Sequence, residues 1–342
     1  MIEKIKNRFP GISCAWMDAM GNVTTEYYGV SDSEHNTPVD ENTIFPACSM
    51  SKFVTAICLM KLHEENLIHI DAPVNDYLRN WKLRTLDGSD SDATIRSLMN
   101  HTAGILDGED GFYGLRRHDP GIRLMDILEG RTSYNSRQVR AEKPQGTEFI
   151  YSDAGYCVLQ LLVQEVTKQA FEDAAQKIIF DRLQLTNTFF ASPKNIACYE
   201  TSKTLTTGYD GEGMPIPGRF PPCPDLAGAG LWSTPKEMLA IAKEFIAAFQ
   251  GKSSFLLETS ARELAEPNKK FPWAGLGIFV NGEDVLVTQG WGEHGQCMMK
   301  MNCRTGEISV VMTNRNPEMD QSESGVEWLV DQNLISLRGE NF

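Results

Sequence analysis

Ser49 and Lys52 stand three residues apart at the head of an unusually apolar run: Phe53, Val54, Ala56, Ile57, Cys58, Leu59, Met60 and Leu62. In a helix that spacing places a hydroxyl and an ammonium on one face, about a turn from each other. A serine hydroxyl is a weak nucleophile until an adjacent base takes its proton. A lysine in an apolar interior has its charged form penalised, and the positive end of a helix dipole pushes the same way. Both effects lower its pKa towards the range of a usable base, so the chemistry expected is nucleophilic attack by the serine hydroxyl. A second copy of the spacing, Ser233-Thr234-Pro235-Lys236, is followed by Glu237 and reads as an ordinary helix start with a capping box. The apolar run behind Ser49 separates the two.

Two further stretches carry candidate groups. Tyr151-Ser152-Asp153 precedes another apolar helix, and Ser152 or Asp153 makes a good N-cap there. The functional reading is that Tyr151 and Asp153 point into a cleft, where a phenol beside a lysine passes a proton between serine and leaving group. Trp291-Gly292-Glu293-His294-Gly295-Gln296-Cys297 is the third piece. Its glycines beside a strand let a substrate backbone approach. The Cys297 N–H is expected to join the Ser49 N–H as an oxyanion hole. The plainer alternative is a glycine-rich turn with a solvated histidine. Cys48 and Cys297 are rival nucleophiles in principle, but neither has an obvious histidine base.

These groups need elements to hold them. Pro46 ends the segment before the Ser49 helix, Ser49 or Ser51 can cap its start, and a helix apolar on every side belongs in an interior. Gly11 to Trp16 and Val23 to Val30 read as strands joined through Gly21-Asn22. Trp273 to Val280 and Val285 to Gln289 are joined through Asn281-Gly282, and Cys297 to Asn302 pairs with Glu307 to Thr313. Near Pro221-Pro222-Cys223-Pro224 the character changes, a helix follows from Glu237 to Phe249, and Val326, Trp328, Leu329, Leu334 and Ile335 mark an amphipathic helix at the end. The expectation is an α+β fold. One antiparallel sheet is built from both termini and flanked by helices (residues 1–70 and 226–342), with a mostly helical lobe, 71–225, inserted between them and the site in the cleft.

Composition narrows the function classes. The 342 residues include 41% hydrophobic and 23% charged ones, as in ordinary soluble domains. A net charge of -14 argues against nucleic acid or an anionic membrane surface as a partner. No stretch approaches a bilayer span, and the first ten residues lack the apolar core of a signal peptide, so a cytosolic protein is expected. The eight cysteines are scattered, with no Cys-x-x-Cys pair and no histidine placed to complete a metal site. No metal and no cofactor are expected, and the oligomeric state is open.

In combination, Ser49-x-x-Lys52, Tyr151-Ser152-Asp153 and His294-Gly295-Gln296, in that order, resemble the serine β-lactamase and penicillin-binding-protein superfamily. The branch most resembled is the class C β-lactamase-like one, with its D-alanyl-D-alanine carboxypeptidases, D-aminopeptidases and esterases. Asn100-His101-Thr102-Ala103-Gly104, Pro144 to Ser152 and Ala227 to Thr234 extend the resemblance along the chain. It implies Ser49 as acylated nucleophile, Lys52 as its base and Tyr151 as proton shuttle. Asp153, His294, Gly295 and Gln296 would touch the substrate, a small amide, peptide or ester. Three departures bear on the substrate. His294 replaces a permanent cation, so β-lactam carboxylates should bind poorly. Gln296 stands where glycine is frequent and narrows the cleft. Asp153 replaces an asparagine and cannot donate a hydrogen bond; it raises the pKa of a nearby lysine and can pair with a substrate amine. The expectation is a serine hydrolase of amine-bearing amides or esters. An acyltransferase, a β-lactamase or carboxypeptidase, and a non-catalytic sensor are the alternatives.

Overall fold

The computed structural model describes residues 1–108, 111–112, 121–192, 194–219 and 223–334. Pro221, Pro222 and Ile335, singled out above, lie outside the described residues. The N-terminal part supplies strands β1 (Gly11–Met17), β2 (Val23–Asp32), β3 (Thr37–Pro38) and β4 (Phe45–Cys48), then helix α1 (Ser51–Glu64). Residues 71–225 carry α2 (Ile95–Met99), α3 (Leu124–Leu128), α4 (Asp153–Thr167), α5 (Phe171–Ala175) and α6 (Ile196–Ser202). The short strands β5 (Arg84–Thr85), β6 (Arg140–Ala141) and β7 (Phe189–Phe190) lie among them. The rest adds α7 (Leu226–Ala229), β8 (Leu231–Ser233), α8 (Pro235–Phe249), α9 (Glu258–Ala265), β9 (Phe279–Asn281), β10 (Val285–Gly292), β11 (Gly295–Asn302), β12 (Ile308–Thr313), α10 (Gln321–Ser324) and α11 (Val326–Asn333).

Seven strands form one antiparallel sheet in the order β3-β2-β1-β12-β11-β10-β9, so the two ends of the chain meet where β1 pairs with β12. Both faces are covered, as the alternation along β11 shows. Cys297, Met299 and Met301 join the large core that holds α1, α4 and α8, while Met298 joins the smaller one under α11. The large core is continuous from the sheet into residues 71–225, through Leu59 of α1 and Leu159 of α4. The fold is α+β.

Helix α1 is buried without a break from Ser51 to Leu62, as its all-round apolarity requires. Its start differs from the expected cap. Met50 occupies the N-cap with a helical backbone and no side-chain cap bond. Cys48 leaves β4 at φ 45°, so Ser49 and Met50 already lie in the turn, with the Met50 N–H on the Ala47 carbonyl at 3.0 Å. Ser51 Oγ instead donates to the Cys48 carbonyl and accepts the Leu231 N–H at 2.9 Å, tying α1 to β8. The other Ser-x-x-Lys copy is a surface helix start. Thr234 caps α8 through the Glu237 N–H, and Lys236 is exposed beside Glu41.

The expected strand from Trp273 is also shorter. Only Phe279–Asn281 pairs with β10, because Gly277 turns the chain at φ 71° with its Cα against α1. A Cβ there would sit 2.7 Å from the Lys52 carbonyl and from Ala56 Cβ, so only glycine fits.

Candidate active site

Four elements converge on the start of α1. The turn after β4 presents Ser49, half-buried, and one turn on Lys52 keeps 3% of its surface accessible. From there the Lys52 Nζ reaches Ser49 Oγ at 3.1 Å, Asp153 Oδ1 at 2.5 Å and the Gly228 carbonyl at 3.0 Å. The ammonium also lies over the rings of Tyr151 and Tyr156, 4.8 and 5.3 Å from their centroids. Tyr151 leaves 39% of its surface open to the cleft, and its phenol faces Lys52 and Ser49.

The electrostatics run against the simple picture of a neutral lysine. Burial disfavours the Lys52 ammonium, but the Asp153 carboxylate and Tyr151 together more than offset it and hold the pKa above that of an ordinary lysine. Burial also raises the Tyr151 phenol, with Lys52 opposing and Asp153 assisting. Both groups are therefore protonated at neutral pH.

Asp153 is placed by the first turn of α4. Ser152 is the N-cap and accepts the Gly155 N–H at 3.0 Å, so the capping reading of this stretch is correct for Ser152. The sequence reading missed what holds that turn. Asp107 accepts the N–H groups of Asp153 and Ala154 at 2.8 and 3.0 Å and the Ser152 hydroxyl at 2.8 Å. Burial and the facing Asp153 push the Asp107 carboxyl up to about 6. His101 accepts the Ser152 N–H on Nδ1 at 3.2 Å and stacks on Tyr151 with centroids 4.3 Å apart. Burial and then the Lys52 charge lower its pKa to about 3, so the ring is neutral. Asp107 has no sequence signal of its own, whereas His101 sits in the noted Asn100 to Gly104 string.

The glycine-rich stretch is arranged differently from expectation. Trp291-Gly292 ends β10 and Gly295-Gln296 opens β11, leaving Glu293-His294 as the hairpin turn. Gln296 is fully buried; its N–H donates to Thr313 Oγ1 and its Nε2 to the Met319 carbonyl, so it anchors a loop and does not narrow the cleft. Gly295 packs against β12, where a Cβ would meet the Thr313 carbonyl at 2.5 Å. His294 is 5% exposed and stacks on Trp232, lining the outer wall of the cleft from a buried position. Cys297 cannot supply an oxyanion N–H, because it is inside the sheet, registered against Gly290 on one side and Met312 on the other, and β10 stands between it and the cleft.

The strand beside Ser49 is β10. Gly290 lies against the turn that carries the nucleophile: a Cβ there would sit 2.5 Å from the Ala47 carbonyl and 2.8 Å from Cys48 Cβ. Beyond Val287, opposite Phe279, β9 no longer covers the outer edge of β10. The Cys303 N–H donates to the Asp284 carbonyl, so even-numbered residues bond to β11, and Gln289 and Trp291 turn their backbone groups outward. A glycine inside a strand pattern, in Gln289-Gly290-Trp291, was the signal available for this edge.

A cleft of 690 Å³ opens over these parts, lined by Ser49, Tyr151, Asp153, Gln289, Trp291 and His294 among others. A smaller recess beneath it is walled by Lys52, His101, Phe149, Gly277 and Thr288. Phe149, Phe271, Trp273 and Phe279 form an aromatic rim, with neighbouring centroids 5.8 to 6.4 Å apart. Among the described residues no cluster of metal-ligating side chains is present, and no helix is long and apolar enough to cross a membrane.

Comparison with known proteins shows the family and the fold. A family model described as Beta-lactamase matches residues 1–332. An unguisins hydrolase of Aspergillus violaceofuscus is 28% identical over 209 residues, 60% of this chain and 35% of that protein. Esterase EstB of Burkholderia gladioli is 26% identical over 285 residues, 77% of this chain and 69% of its own. Among solved structures, the D-amino acid amidase of Ochrobactrum anthropi superposes with a TM-score of 0.77 at 19% identity, covering 99% of this chain and 96% of the amidase. The chain thus spans about a third of the fungal relative's length.

Proposed function

Because the chain belongs to the beta-lactamase family, we propose that it is a serine hydrolase that cleaves small amides or esters through an acyl-enzyme on Ser49. The observation that carries this is the contact of Lys52 Nζ with Ser49 Oγ, 3.1 Å, at the floor of an open cleft. Ser49 Oγ attacks the substrate carbonyl, Lys52 and Tyr151 handle its proton, and the Ser49 N–H with the outward Trp291 N–H stabilises the developing oxyanion. An esterase among the relatives and an amidase among the structures of the same fold support the reaction class.

The cleft lining supports a substrate with a positive charge. Asp153, Glu293, Glu318, Asp320 and Glu327 line it, and the Lys52 ammonium at its floor is already paired with Asp153. Asp153 is held by Lys52 and Glu327 by Lys300, so the outer Glu318 and Asp320 are the better partners for a substrate amine, as in an aminoacyl amide. The same carboxylates repel the carboxylate of a β-lactam, and weak or absent β-lactamase activity follows.

Intact-mass detection of a fluorophosphonate adduct on the wild type, lost in Ser49→Ala, tests the nucleophile. An unlabelled wild type refutes the hydrolase reading. Turnover of D- and L-aminoacyl p-nitroanilides with free and blocked amines tests the substrate class; equal rates remove the amine.

A further inference from the structure

Lys52 has no lone pair to offer in the arrangement described. Three acceptors, Ser49 Oγ, Asp153 Oδ1 and the Gly228 carbonyl, meet the three protons of its ammonium. Neither neighbour is a ready substitute. His101 Nδ1 already accepts the Ser152 N–H, and Tyr151 is a neutral phenol. The closest polar contact of Lys52 is the 2.5 Å one to Asp153.

We infer that Asp153 is the terminal proton acceptor for acylation, receiving through Lys52 the proton that leaves Ser49. The inference rests on the reading of Ser49 as the acylated nucleophile. The proton on Nζ passes to Asp153 Oδ1, leaving a neutral amine beside a carboxylic acid. The freed lone pair takes the Ser49 proton as the Oγ–C bond to the substrate forms and the carbonyl π pair moves onto oxygen. Collapse re-forms the carbonyl and breaks the bond to the leaving group, which takes a proton from Lys52. Asp153 then returns its proton to Lys52, and the pair ends as it began. A buried pair of zero net charge can shift its internal proton without creating a new buried charge, whereas a lone buried lysine must first lose a proton to bulk water.

The surroundings fit an acceptor at this position. Lys52 faces Asp153 from α1, His101 and Asp107 from the segment after α2, and Tyr151, Tyr156 and Cys157 from the start of α4. Asp225, just before α7, shares the Gly228 face with Asp153. The carboxyl groups of Asp107 and Asp225 lie close to that of Asp153. Asp107 also fixes the turn from which Asp153 reaches Lys52.

The test is the rate of Ser49 labelling by a fluorophosphonate from pH 6 to 10, which needs no knowledge of the substrate, with melting temperatures measured alongside. In the wild type the rate should stay level, since the acceptor is already a carboxylate. A tenfold rise per pH unit there, the mark of a lysine that must first lose its proton, overturns the inference. Asp153→Asn should label at least a hundredfold more slowly at pH 7 and recover about tenfold per unit as pH rises; Asp153→Glu should keep the level profile. An Asp153→Asn rate within threefold of wild type, or one depressed equally at every pH, also overturns it. A wild type that never labels sinks the hydrolase reading instead, so the two failures are distinct.

Discussion

Gly290→Ala is the sharpest probe of how the sheet positions the nucleophile. The added methyl would lie 2.5 Å from the Ala47 carbonyl oxygen, 2.6 Å from Cys297 Sγ and 2.8 Å from Cys48 Cβ. Each is inside van der Waals contact by roughly 0.7 Å or more. The Ala47 carbonyl cannot swing away freely, because it accepts the Met50 N–H and the Cys297 thiol, both at 3.0 Å. Relief therefore means parting β10 from the turn that holds Ser49. Overpacking of this kind costs about 2–3 kcal/mol, and an unfolding entropy near 0.7 kcal/mol per degree for a chain of this length converts that to a fall of about 3–4 °C in Tm. A displacement of Ser49 approaching 1 Å should slow acylation by about a hundredfold. Thermal unfolding and fluorophosphonate labelling measure the two. A Gly290→Ala protein that labels within threefold of wild type and melts within a degree of it would refute the placement of β10.

Three further outcomes follow from the same geometry. Lys52→Met should abolish labelling and destabilise the fold by about 2–4 kcal/mol in urea unfolding, because it leaves Asp153 without its counter-ion. The double variant with Asp153→Asn should regain part of that stability, and a double no more stable than the single would show that the charge is not the cause. The His101 ring, with its pKa lowered to about 3, should keep neutral-imidazole ¹⁵N shifts down to pH 4 while exposed histidines titrate; a transition above pH 5 contradicts its burial. Asp107 and His101 act oppositely on stability as pH falls from 6 to 4. The unfolded state takes up the His101 proton, so stability drops; the folded state takes up the Asp107 proton, so stability rises. Asp107→Asn removes the second effect, and its unfolding free energy should fall more steeply than wild type by roughly 1.4 kcal/mol per pH unit in that window. Parallel curves would refute the raised Asp107 pKa.

What the chain alone determined is what short-range geometry carries. Ser49 and Lys52 meet because three residues of a turn entering a helix bring their side chains together, and α1 is buried because no face of it is polar. The hairpin through Asn281-Gly282 and the pairing of Cys297–Asn302 with Glu307–Thr313 could be read from turn residues and apolar runs, as could the joining of both termini in one sheet. Tertiary structure decided the rest, because it depends on register and on contacts between distant segments. Gly295, Gln296 and the Cys297 N–H were expected at the substrate, yet a two-residue turn at Glu293-His294 sends them into β11, behind β10. Gln289, Gly290 and Trp291 take the edge instead, since Gly290 alone lets β10 lie against Ala47 and Cys48. Asp153 could be foreseen as a carboxylate near a lysine. Its 2.5 Å contact with Lys52, and the Asp107 behind it, required the packing of α4 against α1, which no local spacing encodes.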